Sequence, residues 1–509
     1  MMSRVAGMIR DMVFLDMFGA NAMMDAFLVA FRIPNFFRRL FAEGAFAQAF
    51  VPVLAEYRVQ RGDVAVKELI NKVASALSLV LGGLALFAML GSPWIIRLFA
   101  PGYLHDPVRY SLASSMLRLT FPYLPLISLT ALSGAILNSY ERFWVAGFTP
   151  VLLNLSMIAA AVWLCPHLQI PVTGLAWGVL CAGVIQLLFQ IPFLMQIRLL
   201  PHWHLDWQDA GVRRILRLMI PALFGVSVSQ INLLLDTILA TFLPAGSVSW
   251  LYTAERLTEL PLGLIGIAVA TVILPSLSHR HAEDNAQGFA ATLDWALRVV
   301  VMVGVPASLA MLVLAQPLLA TLFLHGQFQP VAVHKSAQAL QALSGGILAF
   351  MLIKVLAPGF YSRQDTRSPV RIGILAMVAN MVFNLLLVWH FKHVGLALAS
   401  TLSGFLNASL LYMGLRKKQV YRFQGHWRLL LLRFAAGNVA MVSFLILILQ
   451  HIGDDFWLRP GWHLKLPVLL GLIMVGVFIY FAVLIMLGLR PWHLAHEHQE
   501  PASLDHIGN

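Results

Sequence analysis

"LPVLLGLIMVGVFIYFAVLIML", residues 466–487, runs for 22 positions without a charge. A helix needs about 20 apolar residues to cross the hydrocarbon core, whereas a strand of an outer-membrane barrel would alternate. "ASALSLVLGGLALFAMLGSPWIIRLFA", residues 74–100, is of the same kind, with Arg97 its one charge. The 509-residue chain is 59% hydrophobic and 11% charged, with a mean hydropathy of +0.79, far from the composition of a soluble globular protein. The fold class is therefore an all-α polytopic membrane protein.

Apolar windows punctuated by Gly, Pro and charge predict fourteen spans, near 3–18, 25–56, 70–99, 111–137, 145–164, 172–195, 212–243, 249–277, 290–323, 332–361, 370–390, 394–415, 429–451 and 464–488. With both termini cytoplasmic, seventeen Lys and Arg fall in inside loops and four in outside loops. That asymmetry sets the orientation. The net charge of +12 thus reads as topology, and no basic soluble module suggests nucleic acid. Cys165 and Cys181 are too few for a disulfide framework, and Arg4, Arg10, Asp11 and Asp16 interrupt any signal-peptide core, so the N-terminus is expected to be retained.

The chain repeats itself. "SPWIIRLFAPGYL" (92–104) matches "QPLLATLFLHGQF" (316–328) at a displacement of 224, with Pro93, Leu98, Phe99 and Gly102 answering Pro317, Leu322, Phe323 and Gly326. "FVPVLAEYR" (50–58) answers "ILPSLSHR" (273–280), and "LNSYERF" (137–143) answers "FYSRQDT" (360–366). Two pseudo-symmetric six-helix lobes plus two C-terminal helices account for this, the lobes running parallel about an axis along the membrane normal, as in transporters. The expected organisation is a first lobe at 1–198, an interfacial linker at 199–211, a second lobe at 212–418, the extra pair at 419–490 and a cytoplasmic tail at 491–509. The same displacement carries the seventh span to a position before residue 1, so the first helix is expected to start about a dozen residues upstream of Met1.

Charges inside the membrane are costly and point to pairing or to a polar ligand. "DAFLVAFRIPNFFRRLFAEGAF" (25–46) carries Asp25, Arg32, Arg38, Arg39 and Glu43. On an ideal helix Asp25, Arg32, Arg39 and Glu43 share a stripe, but Pro34 resets the phase, so geometry leaves Arg38 and Arg39 both open. The first span adds Arg4 and Arg10, and the eighth adds Glu255, Arg256 and Glu259. Structural ion pairs, such as Arg256 with Glu259, are one reading of this set. An anion site is the other, because guanidinium forks bind phosphate oxygens bidentately and stay charged when poorly solvated.

Asp236, Asn380 and Asn384 are oxygen donors suited to a hard cation such as sodium, with a structural hydrogen-bonded Asp as the competing reading. The histidines of "PHWHLDW", "SHRHAED" and "HLAHEHQE" lack metal-ligand spacing and read as interfacial or solvated. Lys354 reads as a snorkelling lysine.

The stretches "SRVAGMIRD" (3–11), "DAFLVAFRIPNFFRRLFAEGAFAQAFVPVLAEYR" (25–58), "GVSVSQINLLLDTILATFLPAGSVSWLYTAERLTELPLGLIGIAVATVILPSLS" (225–278) and "KVLAPGFYSRQDTRSPVRI" (354–372) resemble the MurJ/MviN lipid II flippase family. The resemblance implies the exporter fold with a central cavity and a groove for a polyprenyl tail on the last two helices. It implies undecaprenyl-diphosphate-linked disaccharide-pentapeptide, lipid II, as substrate, and alternating access in the bacterial cytoplasmic membrane. It places the family's cavity arginines on Arg4, Arg10, Arg38 and Arg256 and its cavity acid on Asp25, and it matches the sodium site of some relatives at Asp236, Asn380 and Asn384. Glu259 joins the substrate-binding set from the charge pattern of the eighth span. The expected protein is a monomeric transporter among membrane lipids, with no bound cofactor beyond sodium or the membrane potential as driving force. A flippase for another polyprenyl-linked sugar, a drug or cation antiporter of the same fold, and a membrane enzyme acting on polyprenyl diphosphates are the alternatives.

Overall fold

The computed structural model describes residues 2–40, 46–263, 267–421, 427–459 and 461–489, excluding the side chains of 222, 224–229 and 267–270. Glu43, "HLAHEHQE" and the tail 491–509 lie outside the described residues. Every regular element among the described residues is a helix. The first nine are α1 (Met2–Phe18), α2 (Ala22–Arg38), α3 (Phe46–Gln60), α4 (Gly62–Leu90), α5 (Ser92–Phe99), α6 (Pro107–Thr120), α7 (Tyr123–Ser139), α8 (Phe143–Ala159) and α9 (Thr173–Gln196). Then come α10 (Ala210–Ala240), α11 (Ser247–Pro261), α12 (Ile267–Ala282), α13 (Ala286–Val313), α14 (Ala315–Phe323), α15 (Pro330–Leu356) and α16 (Pro358–Tyr361). The last are α17 (Arg367–Phe391), α18 (His393–Lys417), α19 (Trp427–Ile452), α20 (Asp454–Leu458) and α21 (Trp462–Met486).

Among the described residues, ten helices are long and apolar enough to cross a membrane. They correspond to ten of the fourteen expected spans. The other four expected spans are the first two of each repeat half, and charged residues are common to them. α1 carries Arg4, Arg10, Asp11 and Asp16, α2 carries Asp25, Arg32 and Arg38, α10 carries Arg213, Arg214, Arg217 and Asp236, and α11 carries Glu255, Arg256 and Glu259. The spans read as 25–56 and 249–277 cover α2 with α3 and α11 with α12, and residues 41–45 and 264–266 between them lie outside the described residues. Polar side chains thus collect at equivalent places in both halves of the repeat.

By contacts the chain divides into two compact units, one of Met1–Arg256, Leu322–Ala339 and Met377–Ala399, the other of Leu257–Thr321, Leu340–Ala376 and Ser400–Asn509. In the first, α3, α4 and α7 share a core of Phe46, Phe50, Leu54, Leu69, Ile70 and Ile136. In the second, Leu293, Leu297 and Val300 of α13 pack with Ile347, Met351 and Leu411.

The repeat is visible as paired contacts inside the first unit. A Cβ on Gly102 would strike the backbone of Thr241 at the end of α10, and one on its mate Gly326 would strike the backbone of Asp16 near the end of α1. Gln327 N–H donates to Asp16 O at 2.8 Å, and Gly102 N–H donates to Thr241 Oγ1 at 3.2 Å. Asp25 and Ser249, separated by the repeat displacement of 224, bond each other directly. A residue can touch its own repeat mate only near the axis that relates the halves, so that axis passes close to this pair.

The connector between the repeat halves is strapped to α4. His202 N–H and His204 N–H donate to Asn71 Oδ1 and Ser75 Oγ, each at 2.8 Å. Lys72 Nζ lies 2.7 Å from Glu68, 3.0 Å from Asp209 and 3.3 Å from Asp206. Asp209 also caps α10, accepting from Gly211 N–H at 2.8 Å and Val212 N–H at 3.1 Å. Side-chain oxygens at this position satisfy amides that the helix itself leaves unpaired. Trp203 and Trp207 remain exposed on the strap.

Candidate functional site: two arginines on one carboxylate

Arg10 and Asp11 are consecutive residues of α1, and both are buried. Neighbours in sequence normally diverge on a helix. Here the arginine folds back, and its Nε and Nη2 donate to Asp11 Oδ1 at 3.0 and 2.6 Å. The other oxygen, Asp11 Oδ2, accepts from Arg256 Nε on α11 at 2.6 Å. Tyr252, one turn before Arg256, closes the group: its hydroxyl donates to Asp11 Oδ1 at 2.9 Å and accepts from Arg10 Nη2 at 3.0 Å. A Cβ on Gly7 would lie 3.1 Å from Arg256 Nη2, so the absence of a side chain there lets the guanidinium pass beside α1. The Arg256 side chain keeps 28% of its exposure while Asp11 keeps 1%, which leaves the arginine as the accessible member. Asp11 thus gathers two guanidiniums on one buried carboxylate, and the forked guanidinium of the more accessible Arg256 is a group that binds anions.

Asp25 is placed differently. Both of its oxygens face the start of α11, accepting from Gly246 N–H at 2.6 Å, Ser249 N–H at 2.9 Å and Ser249 Oγ at 2.6 Å. This is capping supplied from another helix, with the carboxylate at the positive end of the α11 dipole. Gly246 makes the approach possible: its φ is +96°, and a Cβ there would lie 2.7 Å from the Trp250 ring and 3.0 Å from Ala20 O.

The remaining arginines do not converge on one stripe. Arg32 is ion-paired with Glu255 and donates through Nη1 to Thr237 Oγ1 at 2.6 Å. Arg38 Nε donates to Asn35 Oδ1 in its own helix at 3.0 Å, and Arg39 Nη1 reaches Gln230 Oε1 at 3.4 Å. Both are half-buried. Arg4 is exposed, and Glu259 is exposed one turn beyond Arg256. Asp11 and Tyr252 are the members that the charge pattern passed over. Asp11 had a signal, since an acid beside Arg10 inside an apolar helix has no solvent to turn to.

A second polar group lies on α10 and α17. Asn384 Nδ2 donates to Asp236 Oδ1 at 2.6 Å and to Asn380 Oδ1 at 2.9 Å. Asn380 and Asn384 are fully buried, and Asn384 Oδ1 is left without a hydrogen-bond partner. Asn232 Oδ1, one turn before Asp236, is likewise buried and unpartnered. An orphaned amide oxygen costs energy in a membrane interior unless something electropositive meets it. An all-oxygen donor set with one formal charge fits a monovalent hard cation. Among the described residues no three His, Cys, Asp or Glu side chains are grouped to hold a metal, and Cys165 and Cys181 are free thiols.

The chain matches the family model "Lipid II flippase MurJ" over residues 14–461. It is 48% identical to a probable lipid II flippase MurJ of Vibrio cholerae, with 96% of this chain and 94% of that one covered. It is also 48% identical to the Haemophilus influenzae protein of the same description, over 97% of this chain and 99% of that one. A lipid II flippase MurJ of Burkholderia cenocepacia is 39% identical, with 96% of each chain covered. Among solved structures, a lipid II flippase MurJ in an inward closed conformation superposes with a TM-score of 0.80 at 23% identity, covering 94% of this chain and 96% of that one. An inward-facing multidrug resistance MATE family transporter of the MOP superfamily gives 0.69 at 16% identity, covering 82% and 94%. These two likenesses establish the shared fold.

Proposed function

This chain belongs to the lipid II flippase MurJ family, and we propose that it carries lipid II across the bacterial cytoplasmic membrane, with both termini cytoplasmic, by alternating access. The observation that carries this reading is the sharing of Asp11 by Arg10 and Arg256. A diphosphate bears an anionic oxygen on each phosphorus, and the more accessible Arg256 guanidinium can approach it while Asp11 keeps Arg256 and buried Arg10 aligned. Bidentate geometry makes the site selective for that group. Arg4 and Arg38 add positive charge along the route of the headgroup, Glu259 borders it one turn from Arg256, and Asp25 holds the start of α11 so that Arg256 is presented. A hydrophobic cation would call for the opposite charge balance, which argues against drug antiport.

No bond is made or broken in this transport. The protein lowers the cost of bringing a diphosphate into a low-dielectric interior by supplying paired counter-charge, and the opening of the cavity exchanges sides as the two repeat halves rearrange. The lipid tail stays in hydrocarbon or along the last two helices. The test is flipping of labelled lipid II in vesicles reconstituted with the purified chain, with unlabelled headgroup analogues as competitors. Transport that ignores a diphosphate competitor but yields to an organic cation overturns the reading.

We assign sodium as the coupling ion to Asp236, Asn380 and Asn384. The support is the buried, unpartnered Asn384 Oδ1 beside the Asp236 carboxylate. Sodium would meet the unpartnered Asn384 oxygen beside the Asp236 carboxylate.

A further inference from the structure

The terminal helix pair poses a physical question, because two helices in lipid gain little by leaving lipid for one another or for a third helix. α21 buries one stripe, Lys465, Leu469, Leu472, Gly476, Tyr480 and Leu484, and turns its other faces outward. α19 meets it through Gly437 and Met441, where a Cβ on Gly437 would lie 3.0 Å from the Tyr480 ring. Packing alone makes the pair. What fixes the pair to the rest of its unit is polar.

Three contacts do so, at three levels. At the entry of α19, Asp294 of α13 is buried and accepts from Trp427 Nε1 at 2.7 Å, from the Tyr421 hydroxyl, and from Arg298 one turn along. The carboxylate therefore grips both sides of the connector that leads into α19. Eight residues further along α13, about 12 Å at 1.5 Å per residue, the Tyr480 hydroxyl donates to the carbonyl of Met302 at 2.7 Å. At the start of α21, buried Lys465 directs its ammonium toward Ala320 O, 3.4 Å away in the last turn of α14. A cation is favoured at that helix end.

We infer that α19 and α21 form one rigid body with α13 and the α14 that follows it, held by these three polar contacts, and that they follow α13 through the transport cycle; the second clause rests on the alternating-access reading above. Each contact would lose a buried partner if the seam slid, and hydrocarbon offers no replacement. A single contact would let the pair pivot. Contacts spread along the seam oppose both tilt and translation. Asp294, Tyr480 and Lys465 are thus positioning residues.

The test uses spin labels on the full-length chain in nanodiscs, in a Cys181→Ser background since Cys181 is the exposed thiol. One pair, Ala291→Cys with Leu432→Cys, reports α13 against α19, and another, Leu312→Cys with Met474→Cys, reports α13 against α21; all four sites are exposed. Both distance distributions should be narrow in the otherwise native chain and broaden when Asp294→Asn, Tyr480→Phe and Lys465→Met are combined. Tyr480→Phe alone keeps the ring against Gly437 and removes only the hydroxyl, so it should broaden the second pair in a protein that still folds. Distributions that stay superimposable in both variants overturn the inference. This comparison is made without substrate, so its failure is distinct from failure of the flippase reading. Adding lipid II should leave both native distributions unchanged; a shift in either would overturn the claim that the pair travels with α13.

Discussion

Asp11 and Arg256 stand 245 residues apart in the chain and 2.6 Å apart in space, and the same carboxylate also holds Arg10. Removing the acid therefore affects two arginines at once. Asp11→Asn should cut flipping at least as severely as Arg10→Ala or Arg256→Ala, and should destabilise the protein by on the order of 3 kcal/mol, because it leaves buried charge uncompensated. Reconstituted flipping and thermal denaturation in detergent check this. A fully active Asp11→Asn protein with an unchanged melting temperature would remove Asp11 from the site.

Arg256→Lys should recover part of the activity that Arg256→Ala loses, and Arg10→Lys less. The half-buried Arg256 can present a point charge to a phosphate, whereas buried Arg10 uses two nitrogens on Asp11 and a third contact on Tyr252. Depletion strains carrying each variant supply the measurement, and equal rescue at both positions contradicts the geometry.

Asp25→Ala should lower stability by about 1–2 kcal/mol, the usual range for loss of a helix cap, and Ser249→Ala by less, since the Gly246 and Ser249 amides still find the carboxylate. Hydrogen exchange at the first turn of α11 should quicken in Asp25→Ala. Exchange that is unchanged there would separate Asp25 from the helix start.

Sodium should raise the melting temperature of the native chain and not that of Asp236→Asn, because an ion that binds only the folded state stabilises it by mass action. Choline chloride at matched ionic strength is the control. Parallel sodium titrations of the two proteins would reduce Asp236 to a hydrogen-bond acceptor for Asn384.

The strap predicts an acid transition outside the membrane. The Gln208 amide and the Lys72 ammonium hold the Asp206 carboxyl below its ordinary value, and Asp209 is lowered by Lys72 and the α10 amides against the opposing effect of burial. Carboxyls whose folded pKa is depressed contribute stability that is complete above the unfolded value, near 3.9, and is lost as pH falls through the folded value. Trp203 and Trp207 fluorescence and exchange across 199–212 should be constant from neutral pH to roughly pH 5 and change only below about pH 4. Lys72→Met should bring the loosened state to neutral pH. Loosening centred near pH 6 in the native chain would contradict the strap.

Much of the fold was legible because lipid demands it. An apolar run such as 466–487 permits a helix and little else, and the repeat was readable because Gly102 and Gly326 meet equivalent helix ends where a Cβ does not fit. The partners of the charges were harder to read. Helical periodicity tells which face a residue occupies, so Asp25 and Arg32 were grouped; it does not tell what stands opposite, and one meets the amides of α11 while the other meets Glu255. Asp11 escaped notice because adjacent residues diverge on a helix unless a side chain as long as arginine turns back. Asn232 and Asn384 became informative only through the burial of their oxygens.

The Arg10–Asp11 pair also bears on how the chain enters the bilayer. The two charges that would most oppose insertion of α1 cancel within that helix, so it can leave the insertion machinery as a locally neutral segment before α11 has been synthesised. When Arg256 emerges, Asp11 already waits in a helix in place to receive it. Assembly of the site is therefore ordered by translation, the early helix serving as the template on which the later arginine docks. A chain that made α11 first would have to carry Arg256 into lipid without Asp11 to receive it.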